Sequence, residues 1–298
     1  MKILLLGANG QVGHELRRAL APLGDIVCTT RNGLLPGAVP CEVADFDAPG
    51  SLPALVERIA PDVVVNAAAY TAVDKAESEP GAAFRANAES PGEIARACAR
   101  RNALLVHYST DYVFDGTGTR PYREDDPVSP LGVYGESKLA GEQAIRASGA
   151  RHMIFRTAWV YADHGRNFLL TMLRLGRERD ELRVVADQIG TPTPAALIAD
   201  VTAQILGNRL DASGTWHLTA SGQTSWHGFA EAIFDRALGA GLIQRRPLVV
   251  PIKTIEYPTS ARRPAYSCLD NSRLRDGFGV VLPDWRNGLD RILGQLRA

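Results

Sequence analysis

Three evenly spaced glycines near the N-terminus limit the possible folds more than any other feature of this sequence. Residues 3–6 are continuously apolar, Gly7, Gly10 and Gly13 follow, and residues 14–20 have the pattern of an amphipathic helix. A buried strand, a tight glycine turn and a helix N-terminus in this order are typical of a dinucleotide-binding unit, because the turn brings backbone amides close to a pyrophosphate. The alternative is a glycine-rich turn in an unrelated α/β protein.

Strand and helix patterns alternate from residue 1 to residue 160. This alternation predicts an α/β fold, a Rossmann-like doubly wound parallel sheet. The rhythm changes near residue 166, where proline-bearing loops separate shorter runs. We therefore expect a dinucleotide-binding Rossmann domain at residues 1–160. Residues 161–298 are expected to form a smaller, mainly substrate-binding α/β unit that is interleaved with the first.

The composition argues against several functional classes. Lys+Arg and Asp+Glu each number 33, so the net charge is zero and a nucleic-acid partner is not expected. The four cysteines form no C-x-x-C pair, which argues against zinc binding and dithiol chemistry. No run approaches the roughly 18 apolar residues that cross a membrane. We therefore expect no membrane association and a cytoplasmic location.

The end of the second predicted strand bears on which dinucleotide is bound. In many such units an acidic residue at this point binds the ribose 2′-hydroxyl of NAD. Residues 25–30 are instead followed by Arg31, whose guanidinium can pair with a 2′-phosphate. The sequence therefore predicts NADPH as the cofactor, with NADH still open, unless Arg31 is only a solvated surface residue.

Polar residues at the end of one strand and the start of one helix predict a proton-transfer site. The apolar residues 104–108 lead toward Thr110, while Tyr134 and Lys138 stand four apart at the start of a predicted helix. At that spacing the phenol and the ammonium share one helix face, and a neighbouring cation lowers the pKa of a phenol. We therefore expect Thr110, Tyr134 and Lys138 to be catalytic. His107, inside the apolar run, is expected to be a core residue.

Longer stretches carry a family resemblance. The glycine pattern together with Tyr134-x-x-x-Lys138 resembles the extended short-chain dehydrogenase/reductases. Four segments are more closely similar to the dTDP-4-dehydrorhamnose reductase family: VNAAAYTAVDKAE at 65–77, STDYVF at 109–114, VYG at 133–135 and FRTAWVY at 155–161. The likeness spans nearly the whole chain, and the glycine pattern is its least specific part.

The resemblance implies a reaction and a role for each catalytic residue. The reaction is the NADPH- or NADH-dependent reduction of the 4-keto group of dTDP-4-dehydro-L-rhamnose to dTDP-L-rhamnose, the last step in making this sugar-nucleotide precursor. Tyr134 is implied to donate the proton. Lys138 is implied to depress the pKa of that tyrosine and to bind the nicotinamide ribose, and Thr110 to bind the keto oxygen or the tyrosine.

The resemblance also implies two sets of binding residues. Cofactor binding is expected, besides the three glycines and Arg31, at Asn9, Gln11, Val12, Asp45, Phe46, Ala67, Ala68, Ala69, Tyr70, Thr71, Tyr134 and Lys138. Residues 10–12 are assigned to the pyrophosphate, residues 45–46 to the adenine side unless Asp45 caps the next helix, and residues 69–71 to the middle of the cofactor. The substrate is expected to contact Thr110, Asp111, Tyr134, Trp159 and Arg263. Arg263 is assigned to the diphosphate, since the planar fork of arginine suits phosphate.

Two other functions fit the same motifs. One is another sugar-nucleotide reductase or epimerase of this fold, and the other is a non-catalytic NADP-binding regulatory subunit. Asp111 is a single acid, which argues against a dehydratase because that reaction needs an acid pair beside the tyrosine. We assign no metal ligand, although magnesium remains open as an activator without a site. We expect a monomer or a homodimer.

Overall fold

A seven-stranded parallel sheet lies at the centre of the computed structural model, which describes residues 1–297 and the side chains of residues 1–296. Its strands are β1 Lys2–Leu6, β2 Asp25–Thr30, β3 Glu42–Val43, β4 Val63–Asn66, β5 Leu104–Thr110, β6 His152–Thr157 and β7 Gly214–His217. They lie in the order β7-β6-β5-β4-β1-β2-β3. The winding direction changes between β1 and β4, the point where open parallel sheets bind ligands beyond the carboxyl ends of their strands. The predicted doubly wound sheet is confirmed.

Helices cover both faces of the sheet. They are α1 Gln11–Leu20, α2 Leu52–Ile59, α3 Val73–Ala76, α4 Pro80–Phe84, α5 Ser90–Arg101, α6 Val133–Ala147, α7 Phe168–Glu178, α8 Ala195–Asn208, α9 Trp226–Gly239, α10 Ser272–Phe278 and α11 Trp285–Arg297. α1 and α8 pack together on one face, and α2, α5 and α6 cover the other. In β1, Ile3 and Leu5 join the first layer, while Leu4 and Leu6 join the second. This strand is apolar throughout because both of its faces are buried.

A second hydrophobic core lies in the C-terminal part of the chain. It joins α7, α9 and α11 to a parallel strand pair, Glu181–Val185 with Leu248–Ile252. Shorter pairs are Leu34–Leu35 with Val39–Pro40, Val160–Tyr161 with Thr193–Pro194, and Ile189–Gly190 with Thr224–Ser225. The same part of the chain supplies β7 and α8 to the main sheet and its helical layer. The domain division at residue 160 remains a prediction.

Several predicted elements differ from the structure near the carboxyl edge of the sheet. The apolar run at residues 61–69 predicts a strand, but the strand ends at Asn66. Residues 42–47 predict a third strand and its exit, and the strand itself covers Glu42–Val43. Apolar periodicity predicts one long helix over residues 82–101, but a π-helical turn, Arg85–Glu89, interrupts it. Such turns are frequent at functional sites. Residues 70–75, which follow the apolar run, predict a loop, but the chain enters the short helix α3 there.

No helix within residues 1–297 has both the length and the apolar character that crossing a bilayer requires.

Candidate active site

The glycine turn joins β1 to α1 with almost no space around its backbone. Gly7 has a φ of +77°, and a Cβ at this position would lie 2.7 Å from the backbone nitrogen of Ala68. A Cβ on Gly13 would lie 2.0 Å from the carbonyl oxygen of Gly7. Gly10 is the N-cap of α1 and offers no side chain to the first amides of that helix. These amides can therefore donate to an anionic ligand.

A cleft of about 490 Å³ opens beside this turn, within the usual size range of ligand sites. Residues predicted to bind the cofactor line much of it: Gly7, Asn9, Gly10, Arg31, Phe46, Ala67, Ala68, Ala69 and Tyr70. Sequence reasoning missed further lining residues: Thr30, Asn32, Ala44, Asp47 and Ala86. At its rim, the exposed Arg31 guanidinium lies 3.8 Å from a carboxylate oxygen of Asp47. The structure thus brings the glycine turn, the end of β2 and the segment after β4 together.

The other predicted cofactor residues lie outside the lining of this cleft: Gln11, Val12, Gly13, Asp45, Thr71, Tyr134 and Lys138. Gln11 Oε1 accepts a hydrogen bond from Asn167 Nδ2 at 2.8 Å. Asp45 Oδ1 accepts from the backbone amide of Asp47 at 2.9 Å, so this carboxylate closes a local turn instead of capping α2. The cofactor roles of these residues remain predictions.

Asn87 fixes the segment that follows β4. Its side-chain oxygen accepts from the Tyr70 amide at 2.8 Å, and its amide group donates to the Tyr70 carbonyl and to Ser137 Oγ, each at 3.0 Å. Asn87 is completely buried within the π-helical turn. It therefore connects the cleft to α6, the helix that carries Tyr134 and Lys138.

Thr110 and Asp111 are buried where β5 ends. The Thr110 hydroxyl donates to Asp111 Oδ1 at 3.0 Å and accepts from the Tyr112 backbone amide at 3.1 Å. Burial raises the pKa of Asp111 to about 6, although nearby hydroxyl groups oppose the rise. Asp111 Oδ2 has no hydrogen-bond partner among the residues that the structure describes. Because a buried acceptor without a partner is costly, this oxygen is suited to receive a ligand hydroxyl.

Tyr134 lies in the first turn of α6. It is half-buried, and the ring of Tyr112 meets it edge-on with centroids 5.5 Å apart. Burial raises the pKa of Tyr134 to about 12, while the nearby Thr110 hydroxyl opposes the rise. A phenol with this pKa is protonated at neutral pH, as a proton donor must be. The expected lowering of this pKa is therefore wrong for this structure.

The position of Lys138 explains that error. Its buried ammonium donates to the carbonyl oxygen of Tyr108 at 2.6 Å and lies 3.4 Å from His107 Nε2. The charge is thus directed at β5 instead of at the phenol of Tyr134. Burial lowers the pKa of Lys138 to about 8, although the Glu142 carboxylate one turn further along α6 opposes the shift.

His107 is a fully buried residue between Lys138 and Asn66, in agreement with its predicted place in the core. Asn66 Oδ1 accepts from the Ala68 amide at 3.1 Å, which turns the amide nitrogen of Asn66 toward His107 Nδ1, also 3.1 Å away. Since Nδ1 then accepts, the neutral imidazole carries its hydrogen on Nε2, facing Lys138.

Lys138 should make the stability of the protein rise with pH above neutrality. Its pKa is lowered to about 8 in the folded state, against about 10.4 in an unfolded chain. The unfolded state binds more protons between these values, so the free energy of unfolding rises with pH there. From about pH 7.5 to about pH 9.5, the wild type should gain roughly 2 kcal/mol relative to Lys138→Met. Urea unfolding of both proteins at each pH measures this; a constant difference would mean an ordinary lysine pKa.

Arg263 forms a two-pronged ion pair with Asp74. Its Nη1 and Nη2 atoms donate to the two carboxylate oxygens at 3.1 and 2.7 Å, and the Ala261 amide donates to the same carboxylate at 3.1 Å. The hydrogen bond from Arg263 lowers the pKa of Asp74. A substrate diphosphate would have to share this guanidinium with Asp74. The diphosphate role of Arg263 remains a prediction.

Trp159 has a left-handed backbone with a φ of +46°, which is strained for a bulky residue. Its ring stacks on Trp226, with centroids 3.5 Å and planes 4° apart. On Gly190, a Cβ would lie 2.4 Å from the Trp159 ring. Trp226 thus covers one face of Trp159, whose contact with the substrate remains a prediction. Sequence reasoning missed Trp226. The one signal that could have indicated it is its position directly after Ser225, which caps α9.

Known proteins resemble this chain over its full length. A family model described as RmlD substrate binding domain matches residues 1–298. A dTDP-4-dehydrorhamnose reductase of Burkholderia thailandensis is 51% identical over 295 residues, with 96% of each chain covered. The crystal structure of a dTDP-4-dehydrorhamnose reductase from Clostridium acetobutylicum has a TM-score of 0.90 and 37% identity, with 100% of each chain covered. A second crystal structure, of a dTDP-4-dehydrorhamnose reductase from Bacillus anthracis in complex with NADP, has a TM-score of 0.89 and 36% identity, with 99% of each chain covered.

These likenesses agree with the motifs of the sequence and with the doubly wound sheet. They cover the glycine turn, the end of β5 and the helix of Tyr134 in one continuous match. The chain therefore belongs to the dTDP-4-dehydrorhamnose reductase family of oxidoreductases.

Proposed function

We propose that this chain uses NADPH to reduce the 4-keto group of dTDP-4-dehydro-L-rhamnose, with Tyr134 as the proton donor and dTDP-L-rhamnose as the product. The observation that carries the proposal is the group formed by Thr110, Asp111 and Tyr134 at the carboxyl end of the sheet. The cleft beside the glycine turn and the NADP-bound relative support the choice of cofactor.

The residues around the cleft suit a bound dinucleotide. The uncapped first amides of α1 would hold the pyrophosphate. Arg31 at the rim would meet the 2′-phosphate, and Phe46 would lie along the adenine. Lys138 would bind the nicotinamide ribose with the hydrogens that it does not donate to Tyr108.

The cofactor and this chain would each supply part of the reaction at the keto group. The reduced nicotinamide, when bound, supplies the hydride to the carbonyl carbon. Tyr134 protonates the keto oxygen as negative charge develops on it, and the Thr110 hydroxyl stabilises that charge by hydrogen bonding. Asp111 Oδ2, which lacks a partner among the described side chains, accepts from a sugar hydroxyl and orients the ring. The half-buried Tyr134 then regains its proton from water.

Turnover of the purified protein tests the proposal most directly. Enzymatically prepared dTDP-4-dehydro-L-rhamnose should cause NADPH oxidation, followed by absorbance, with dTDP-L-rhamnose identified by NMR. A folded protein that binds NADPH without turning over any sugar nucleotide would contradict the proposal and favour a regulatory subunit. Turnover of a different keto sugar nucleotide alone would favour another reductase of the same fold.

Arg31→Ala should weaken the binding of NADPH at least about tenfold while leaving NADH unchanged, because only NADPH carries the phosphate that the guanidinium can pair with. The KM values for the two cofactors measure this. Arg58→Ala is the matched control, since Arg58 is also exposed but pairs with Glu42 away from the cleft lining. Equal losses for NADPH and NADH would show that Arg31 does not contact the 2′-phosphate.

A further inference from the structure

We propose that His14, Glu15 and His164 bind a divalent transition-metal ion of the zinc class, a site outside the proposed reduction. His14 and Glu15 lie in α1, and His164 lies in the segment between Val160–Tyr161 and α7. One ligand atom of each side chain lies within 4.8 Å of the other two. His164 is 149 residues from Glu15, so no spacing motif in the sequence could have indicated the cluster.

The distances between the ligand atoms suit one shared ion. His164 Nε2 lies 3.2 Å from Glu15 Oε1. Zinc bonds of about 2.0–2.2 Å at tetrahedral angles place two ligand atoms roughly 3.4 Å apart. The ring of His14 lies beside that of His164, with centroids 4.3 Å and planes 50° apart. Small side-chain rotations would turn a nitrogen of each ring toward the same point.

The segment that carries His164 is already fixed against α1. Asn167 Nδ2 donates to Gln11 Oε1 at 2.8 Å and to the carbonyl oxygens of Ala162 and His164 at 2.9 and 3.0 Å. Asp163 adds a carboxylate oxygen 3.8 Å from His164 Nε2. Such a neighbouring carboxylate orients a ligating imidazole or supplies a further oxygen. The ligands would therefore lose little conformational freedom when an ion binds.

The donor set selects the class of metal. Imidazole nitrogen suits Zn²⁺, Co²⁺ and Ni²⁺, whereas Mg²⁺ and Ca²⁺ prefer oxygen ligands alone. His14 is exposed, which leaves room for water as a further ligand. A simple hydrogen bond accounts for the Glu15–His164 contact, but it does not account for the second imidazole beside them. The sequence had argued against zinc only through its cysteines, and this site uses none.

Metal binding by the full-length protein, stripped with a chelator, tests the proposal. Co²⁺ should bind one ion per chain and give the visible absorption of a four- or five-coordinate site, and Zn²⁺ but not Mg²⁺ should displace it. Glu15→Gln keeps an oxygen that accepts from His164 yet is a poor ligand. We expect it to retain the wild-type thermal unfolding and to bind Zn²⁺ at least about tenfold more weakly.

His14→Gln separates a metal site from a structural hydrogen bond, because only the metal requires the second imidazole. It should also lower the Zn²⁺ affinity at least about tenfold. The matched control is His152→Gln, which changes a histidine at the start of β6 and should leave the affinity unchanged. Absence of Co²⁺ absorption in the wild type, or equal Zn²⁺ affinity in wild type, Glu15→Gln and His14→Gln, would overturn the proposal.

Discussion

Tyr134→Phe should lower kcat for the proposed reduction at least about a hundredfold, because a positioned general acid typically contributes about 10²–10⁴-fold. The substitution removes only the hydroxyl, and the ring keeps its edge-on contact with Tyr112. The KM for NADPH should therefore change little. Steady-state turnover with NADPH and the keto sugar nucleotide measures both constants.

Tyr108→Phe is the matched control for this variant. It removes the same atom from a tyrosine in β5, where the hydroxyl lies 2.8 Å from Thr202 Oγ1 in the buried layer of α8. That loss should cost about 1 kcal/mol of stability without changing turnover, since the Tyr108 carbonyl that holds Lys138 remains. Near-normal turnover by Tyr134→Phe would remove Tyr134 from the role of proton donor.

The sequence predicted those elements of the fold whose pattern is local. The patterns of residues 25–30 and 52–59 predict a strand and a helix, and they match β2 and α2, because burial on a defined face imposes a clear period. Residues 216–218 also predict a short strand, but they do not predict that it pairs with β6 in the main sheet. That pairing depends on how residues 158–213 pack as they return to the sheet, which no local pattern encodes.

The sequence predicts which residues form the site better than it predicts their orientation and protonation. The spacing of Tyr134 and Lys138 placed both on α6, yet the direction of the ammonium depends on the Tyr108 carbonyl 30 residues away. The tautomer of His107, which faces the same ammonium, follows from the orientation of Asn66 on the neighbouring strand β4. Contacts between strands decide these properties, and the sequence of one strand cannot specify its neighbour.

Arg156→Met should lower the free energy of unfolding by about 3–5 kcal/mol, the usual cost of removing one member of a buried ion pair. Arg156 in β6 donates from Nε and Nη2 to the two carboxylate oxygens of Glu142 at 2.9 and 2.8 Å, and both side chains are almost completely buried. The guanidinium also lies 5.2 Å from the ring centre of Phe114. Methionine fills part of this space but donates to neither carboxylate oxygen.

Arg146→Met is the matched control, because Arg146 donates to the same Glu142 carboxylate at 2.6 Å from a side chain that is 38% exposed. Water can replace it, so we expect a loss of at most about 1 kcal/mol. Urea unfolding of both variants measures the two losses of stability. Equal losses would contradict the expectation that burial determines how much each arginine contributes.

Glu142→Leu combined with Arg156→Met should recover much of the stability, since removing both charges is often neutral. A double variant as unstable as Arg156→Met would show that the loss comes from packing and not from a Glu142 carboxylate without its buried partner.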